Sequence, residues 1–216
     1  LFARPTCLNN VESLSLVPHL IMDKDNVYGK CGSGESIGTK MVSVAGNVNH
    51  PGVFEIPFGT TIREIIYNLA GGIQHDRDIQ LIQFGGASGK IADASILDTP
   101  YTYDDLRAAG VMVGSGALLV IDKRTSVIDF LRLNQEFFSE ESCGQCTPCR
   151  EGNLHIKIIL DKIANHTATA EDIKIMSKIA KVMSMSSLCG LGETAQNTLR
   201  SAMQVFPEVF EVGGAK

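Results

Sequence analysis

Cys143, Cys146 and Cys149 stand at every third position within residues 141–152, Glu-Ser-Cys-Gly-Gln-Cys-Thr-Pro-Cys-Arg-Glu-Gly, and Cys189 follows 40 positions after the last of them. Three thiols at that density cannot all pair with one another, and each is near enough in the chain to serve a single inorganic centre. Gly144 and Pro148 predict a loop through the run rather than regular helix. On a straight helix, thiols at i, i+3 and i+6 would spread over about 9 Å of axis. A cubane iron–sulfur cluster instead needs backbone wrapped around it, with thiolates reaching the irons and amides directed at sulfur. In the bacterial ferredoxin run, Cys-x2-Cys-x2-Cys-x3-Cys, the fourth cysteine ligates a second cluster. That cysteine is missing from the local run here, so the spacing predicts one [4Fe–4S] cluster with a remote fourth ligand. Cys189, in the Gly-rich turn at 187–192, is that ligand by elimination, although a single cysteine there would otherwise read as a buried small hydrophobe. Structural zinc is the competing metal. Its sites usually draw ligands as two spaced pairs, which a triplet plus a singlet fits poorly.

Other chemistry-bearing candidates carry less. Arg150, beside the last cysteine of the run, could raise a cluster's potential by its charge, or could pair with Glu141 or Glu151. His155 is expected within a helix and His166 in a polar turn, so neither is read as a ligand. Residues 84–90 resemble a phosphate loop but fail its pattern, which needs Gly and Ser or Thr where this chain has Phe84 and Ile91. That stretch and the lone Gly-x-Gly at Gly114 and Gly116 read as tight turns. Cys7 and Cys31 read as plain free thiols.

The chain has 216 residues, 44% apolar and 20% charged, with no Trp. That is the composition of an ordinary folded protein, long enough to bury a core. A net charge of −5 gives no electrostatic case for nucleic acid or anionic membrane. No apolar run approaches the ~20 residues that span a bilayer, so no membrane insertion is expected, and no signal peptide is visible. The scatter of Cys7 and Cys31 away from the cluster of four is unlike a disulfide scaffold and suits a reducing, cytoplasmic compartment. Because residue 1 is Leu1, the chain reads as part of a longer protein.

The elements that must position these thiols follow from periodicity. Asn10 can cap a helix over Val11–Met22, with Val11, Leu14, Val17 and Ile21 near helical spacing and Pro18 placed to kink or shorten it. Gly29, Gly32 and Gly34 mark a turn-rich linker. Alternation around Val42 and Val44, a turn at 49–52, and the run 53–57 predict two strands. Thr60 or Thr61 caps a helix carrying Ile62, Ile65, Ile66 and Leu69, closed by Gly71 and Gly72. Strands at 79–84 and 117–121 follow. Hairpin, helix, then returning strands is the order of a small β-grasp-like sheet, with a generic α+β unit as the alternative. After Asp122 only helices are expected: 126–138, 154–164, one opened by the capping pair Thr169 and Asp172, and one over about 194–205. These make a four-helix bundle.

At this point the residues resemble a known family, the flavin- and iron–sulfur-bearing NADH-oxidising subunit of respiratory complex I. The diaphorase subunits of NAD-reducing hydrogenase and NAD-dependent formate dehydrogenase are its relatives. The run at 141–152 matches the family's cluster signature, and the turn at 187–192 looks like its fourth-ligand loop. Arg4-Pro5-Thr6-Cys7-Leu8-Asn9-Asn10-Val11-Glu12 is similar to its Pro-Thr-x-x-Asn-Asn-Val-Glu segment. Gly38-Thr39-Lys40, Gly46-Asn47-Val48 and Pro51-Gly52 resemble its soluble-ligand-binding (SLBB) domain. The resemblance implies three parts: 1–36 as the end of an FMN/NADH-binding domain and linker, 37–123 as the SLBB-like β-grasp domain, and 124–216 as the cluster-bearing bundle. It implies that Leu8, Asn9, Asn10 and Ser13 form a surviving edge of the FMN site. The [4Fe–4S] cluster would take electrons from FMN reduced by NAD(P)H. The implied partners are a thioredoxin-like [2Fe–2S] subunit and a larger iron–sulfur subunit. The implied location is cytoplasmic, peripheral to the membrane as part of a complex. The family's Gly-rich flavin loop is not in this sequence, so the chain alone is not expected to oxidise NADH.

Overall fold

Asn10 opens the first element, α1 (Val11–Met22), by accepting the Glu12 N–H at 2.9 Å on its side-chain oxygen. Pro18 sits inside this helix without ending it. The helix of that apolar spacing forms, yet none of its residues is buried. Glu12 fastens it to the next unit, bonding Lys40 and accepting the Met41 N–H at 3.0 Å. The computed structural model describes residues 1–211. Where the glycines predict only a linker, a small hairpin forms from β1 (Gly32–Ser33) and β2 (Ser36–Ile37).

A mixed five-stranded sheet follows, made of β3 (Thr39–Gly46), β4 (Gly52–Pro57), β5 (Ile79–Phe84), β6 (Ile91–Ala92) and β7 (Ala117–Asp122). The spatial order is β4-β3-β7-β5-β6. Only the central pair β3–β7 is parallel, with Ser43 opposite Ala117 and Gly46 opposite Val120. Between β4 and β5, Thr61 and Glu64 cap each other: the Thr61 hydroxyl accepts the Glu64 N–H, and the Glu64 carboxylate accepts the Thr61 N–H. The helix so opened takes the wider π form over Glu64–Leu69 rather than the α form its spacing predicts. It buries Ile62, Ile65 and Ile66 against Val42, Val44, Ile82, Phe84, Leu118 and Val120 on one sheet face. A short helix, α2 (Tyr103–Ala108), caps itself with Thr102 and adds Leu106 to that core.

Alternation turns Leu81, Ile91, Leu119 and Ile121 to the other face, where they meet a second core made by the helices after the sheet. These are α3 (Val127–Glu140), α4 (Thr147–Ala164), α5 (Ala170–Ser186), α6 (Gly190–Thr194) and α7 (Asn197–Val205). Ser126 caps α3, and Thr169 with Asp172 completes a capping box for α5. Two expectations need correcting. Helix α4 starts at Thr147 rather than 154, because Pro148 lies in its first turn, where a missing N–H costs nothing and a fixed φ helps. The single helix over 194–205 is two helices, broken around Gln196, whose side chain is buried in hydrogen bonds to Gln135 and Asn153.

The two cores are joined by polar contacts as well as packing. The Thr198 hydroxyl donates to Gly89 O at 2.6 Å and accepts from Gln83 Nε2 at 3.0 Å, while Ser201 Oγ accepts the Ile91 N–H at 2.9 Å. Helix α7 thereby covers the edge strand β6, and 84–90 is the tight turn its glycines predict, docked on α7.

Asp122, at the end of β7, is fully buried. Its carboxylate accepts from Arg124 Nε at 2.9 Å and faces Arg77 at 3.6 Å. The Arg124 bond lowers its pKa, outweighing burial, which pushes the other way. A lowered folded pKa contributes stability that is present above the ordinary carboxylate value of about 4 and lost as pH falls through the folded value. The urea midpoint of the native chain is therefore expected to fall between about pH 5 and pH 3 more steeply than that of Asp122→Asn. Parallel slopes would remove Asp122 as a source of that dependence.

Candidate metal centre

The loop between α3 and α4 and the turn between α5 and α6 meet around one cavity of about 90 Å³. Its walls are Glu141, Ser142, Cys143, Gln145, Cys146, Cys149, Cys189 and Leu191. All four cysteines singled out by spacing are thus brought together. They are not all on loops: Cys146 is the N-cap of α4 and Cys149 lies in its first turn, while Cys189 is the N-cap of α6. Cys149 is buried, Cys146 half-buried, and Cys143 and Cys189 are exposed. The bundle therefore walls the site on one side only.

Local chemistry holds this geometry. Gly144 has φ +73°, a left-handed turn that a side chain would strain. Arg150 Nη1 donates to Gly144 O at 2.6 Å and its Nε to Glu151 at 2.9 Å, so the arginine braces the loop and pairs with Glu151. Ser142 Oγ lies 3.3 Å from Cys149 Sγ, and Asn153 Nδ2 donates to the same sulfur at 3.4 Å. The Leu188 amide, then that of Cys149, lowers the Cys146 thiol pKa. Ser187 Oγ is buried beside this site with no hydrogen-bond partner. The amides serving Cys146 thus come partly from the loop that carries Cys189. Gly192 keeps the two loops close: a Cβ there would lie 2.5 Å from Ser187 Oγ and 3.1 Å from Cys149 Cβ.

Among the described residues, no three His, Cys, Asp or Glu side chains converge as a site for one metal ion. Tetrahedral zinc with Zn–S bonds of about 2.3 Å would draw its sulfurs to within about 3.8 Å of one another. The thiols here ring a void instead. Four soft thiol donors around a cavity, with the Asn153 side-chain N–H on the Cys149 sulfur, are a donor set suited to a cubane cluster.

The remaining candidates lie elsewhere. Leu8, Asn9, Asn10 and Ser13 are exposed at the start of α1, Leu8 at 97%. Cys7 and Cys31 are free and do not line the cavity. His155 lies within α4 and His166 in the turn after it. Sequence reasoning passed over Ser142, Asn153, Gln135 and Gln196. Asn153 was findable, since four residues past Cys149 on a helix means the same face.

Comparison with known proteins gives this arrangement its class. Residues 129–213 match the NADH-ubiquinone oxidoreductase-F iron-sulfur binding region, and 41–92 match the SLBB domain. More particularly, the chain is similar to the F subunits of NADH-quinone oxidoreductases and to a hydrogenase subunit. It is 36% identical over 99% of its length to the NADH-quinone oxidoreductase F subunit of Buchnera aphidicola subsp. Acyrthosiphon pisum, covering 48% of that protein. It is 32% identical over 96% of its length to the NADP-reducing hydrogenase subunit HndC of Solidesulfovibrio fructosivorans, covering 42% of that protein. A solved NAD+-reducing [NiFe]-hydrogenase in the H2-reduced state superposes on the whole chain with TM-score 0.85 at 28% identity, over 37% of the hydrogenase chain. The chain spans about half the length of the curated relatives it matches.

Proposed function

We propose that this chain is the electron-relay part of an NAD(P)H-oxidising subunit, with Cys143, Cys146, Cys149 and Cys189 holding a [4Fe–4S] cluster. The observation that carries the reading is the joint lining of one cavity by those four thiols, delivered by two loops that the chain separates widely. When bound, such a cluster takes up and releases one electron at a time. The chain's own residues supply its setting: Cys149 anchors it from the buried side, the Leu188 and Cys149 amides favour the Cys146 thiolate, and Arg150 fixes the loop. The exposed Cys143 and Cys189 leave one side of the cavity open for electrons to enter and leave.

The finer architecture follows the same reading. The sheet order, with its parallel central pair flanked by antiparallel ones, supports a β-grasp SLBB domain over 37–123. Helices α3, α4, α5 and α7 make the four-helix bundle of 124–216, and 1–36 belongs with a flavin domain. In the whole protein Leu8, Asn9, Asn10 and Ser13 edge an FMN that NAD(P)H reduces. Partner subunits, among them a thioredoxin-like [2Fe–2S] protein and a larger iron–sulfur protein, take the electrons onward on the cytoplasmic side. No described helix is long and apolar enough to cross a membrane.

The test is anaerobic purification with metal analysis. The chain is expected to be brown, with broad visible absorption that dithionite bleaches and about four irons per chain. A colourless chain holding one zinc would replace this reading with a structural zinc module.

A further inference from the structure

Three primary amides are buried where the helices around the cavity meet. Gln135 on α3, Asn153 on α4 and Gln196 before α7 are 3%, 1% and 1% exposed. Gln196 Nε2 donates to Gln135 Oε1 at 3.1 Å and to Asn153 Oδ1 at 3.0 Å. Gln135 Nε2 donates to Asn153 Oδ1 at 2.8 Å and to the Asn153 backbone carbonyl at 3.1 Å. Asn153 Nδ2 donates to Phe138 O and to Cys149 Sγ, both at 3.4 Å.

Main-chain carbonyls can only accept, so they settle which way the amides face. Phe138 O requires the NH2 group of Asn153, and the Asn153 carbonyl requires that of Gln135. The N–H side of Asn153 is therefore held toward the sulfur, and Gln135 and Gln196 both donate to its side-chain oxygen. Burying such groups is costly when they are left unpaired, and Gln196 Oε1 has no partner. Apolar side chains of the same volume would pack these helices without that cost. Apart from two main-chain carbonyls, the set donates outside itself to one group only, the thiol of Cys149.

We propose that Asn153, oriented by Gln135 and Gln196, is a positioning residue that holds an N–H on the Cys149 sulfur and makes the cluster easier to reduce. This rests on the reading that Cys149 is a cluster ligand. An added electron raises the negative charge on the ligand sulfurs, and a donor aimed at one of them stabilises that state. Aligned amides polarise one another, so Gln196 strengthens the last bond without touching sulfur.

The experiment is a potentiometric titration, followed by electron paramagnetic resonance and iron analysis, of the full-length protein and two isosteric variants. Asn153→Leu removes the donor and is expected to shift the reduction equilibrium about tenfold against the reduced form, 59 mV for a one-electron couple. Gln196→Met keeps Asn153 and should shift it in the same direction by less. A loaded Asn153→Leu protein with the native potential overturns the inference. Should that variant lose its irons, Gln196→Met decides: a negative shift supports the amide chain, and a native potential overturns it. A native protein without iron overturns the cluster reading itself, and this inference with it.

Discussion

Cys189→Ser is expected to empty the site, lowering iron content at least tenfold, while Cys31→Ser leaves it unchanged. The magnitude comes from a comparison of roles. Loss of a residue that merely orients a metal ligand already costs about 10–100-fold in affinity, so loss of a ligand should cost no less. Cys189 also differs from the other three thiols in origin. Cys143, Cys146 and Cys149 share one loop and the helix it opens, whereas Cys189 arrives on the turn before α6. That turn carries the Leu188 amide that favours the Cys146 thiolate. A ligand bond at 189 therefore does two things: it completes the donor set and pins the turn that feeds amides to a second ligand. Serine is a small change at an exposed position, so the variant should still fold. Iron analysis with circular dichroism separates the outcomes. Equal iron in both variants would remove Cys189 from the donor set.

How much of this was legible in the sequence depends on how local the cause is. Caps are local, and Asn10 and Thr169 with Asp172 stand where the sequence places them. Strand alternation at Val42 and Val44 is equally local. The cysteine spacing named all four thiols of the cavity because a remote fourth ligand is forced by the chemistry rather than by the chain path. Pro148 misled because its effect depends on position: proline breaks a helix from inside and starts one from the first turn. The two-residue strand β6 has no period to read. It exists because α7 lies over it and Ser201 takes its free N–H. The exposure of α1 was likewise invisible, since apolar spacing predicts a buried face but not whether this chain supplies the surface that buries it. The amide chain behind Cys149 escaped because its three members come from two helices and the break before a third, and only folding sets them side by side.

Gly152→Val is expected to lower unfolding free energy by about 2–3 kcal/mol and to reduce the iron held by the chain that remains folded. Glycine inside a helix is weaker than alanine by about 1 kcal/mol, so its place in the middle of α4 calls for a compensating contact. That contact is with α5: a Cβ at 152 would lie 2.4 Å from Met183 Sδ, 2.7 Å from its Cγ and 3.3 Å from Ile179 Cγ2. Met183 is fully buried, so a displaced thioether must shift within the core rather than into solvent. Valine gains a few tenths of a kcal/mol in helix propensity, which is small against the 1–3 kcal/mol typical of an overpacked core. The two helices must then part. Cys149 sits one turn before Gly152 on α4, and Cys189 follows just after the end of α5, so parting them moves the two ligand-bearing loops. Leu118→Ala provides the contrast. It empties space in the sheet core at a comparable or larger cost, about 2–5 kcal/mol, without touching α4 or α5. Urea unfolding and iron per folded chain, measured on both variants, separate general destabilisation from loss of helix spacing. If Gly152→Val binds as much iron per folded chain as Leu118→Ala, the close approach of α4 and α5 serves stability alone.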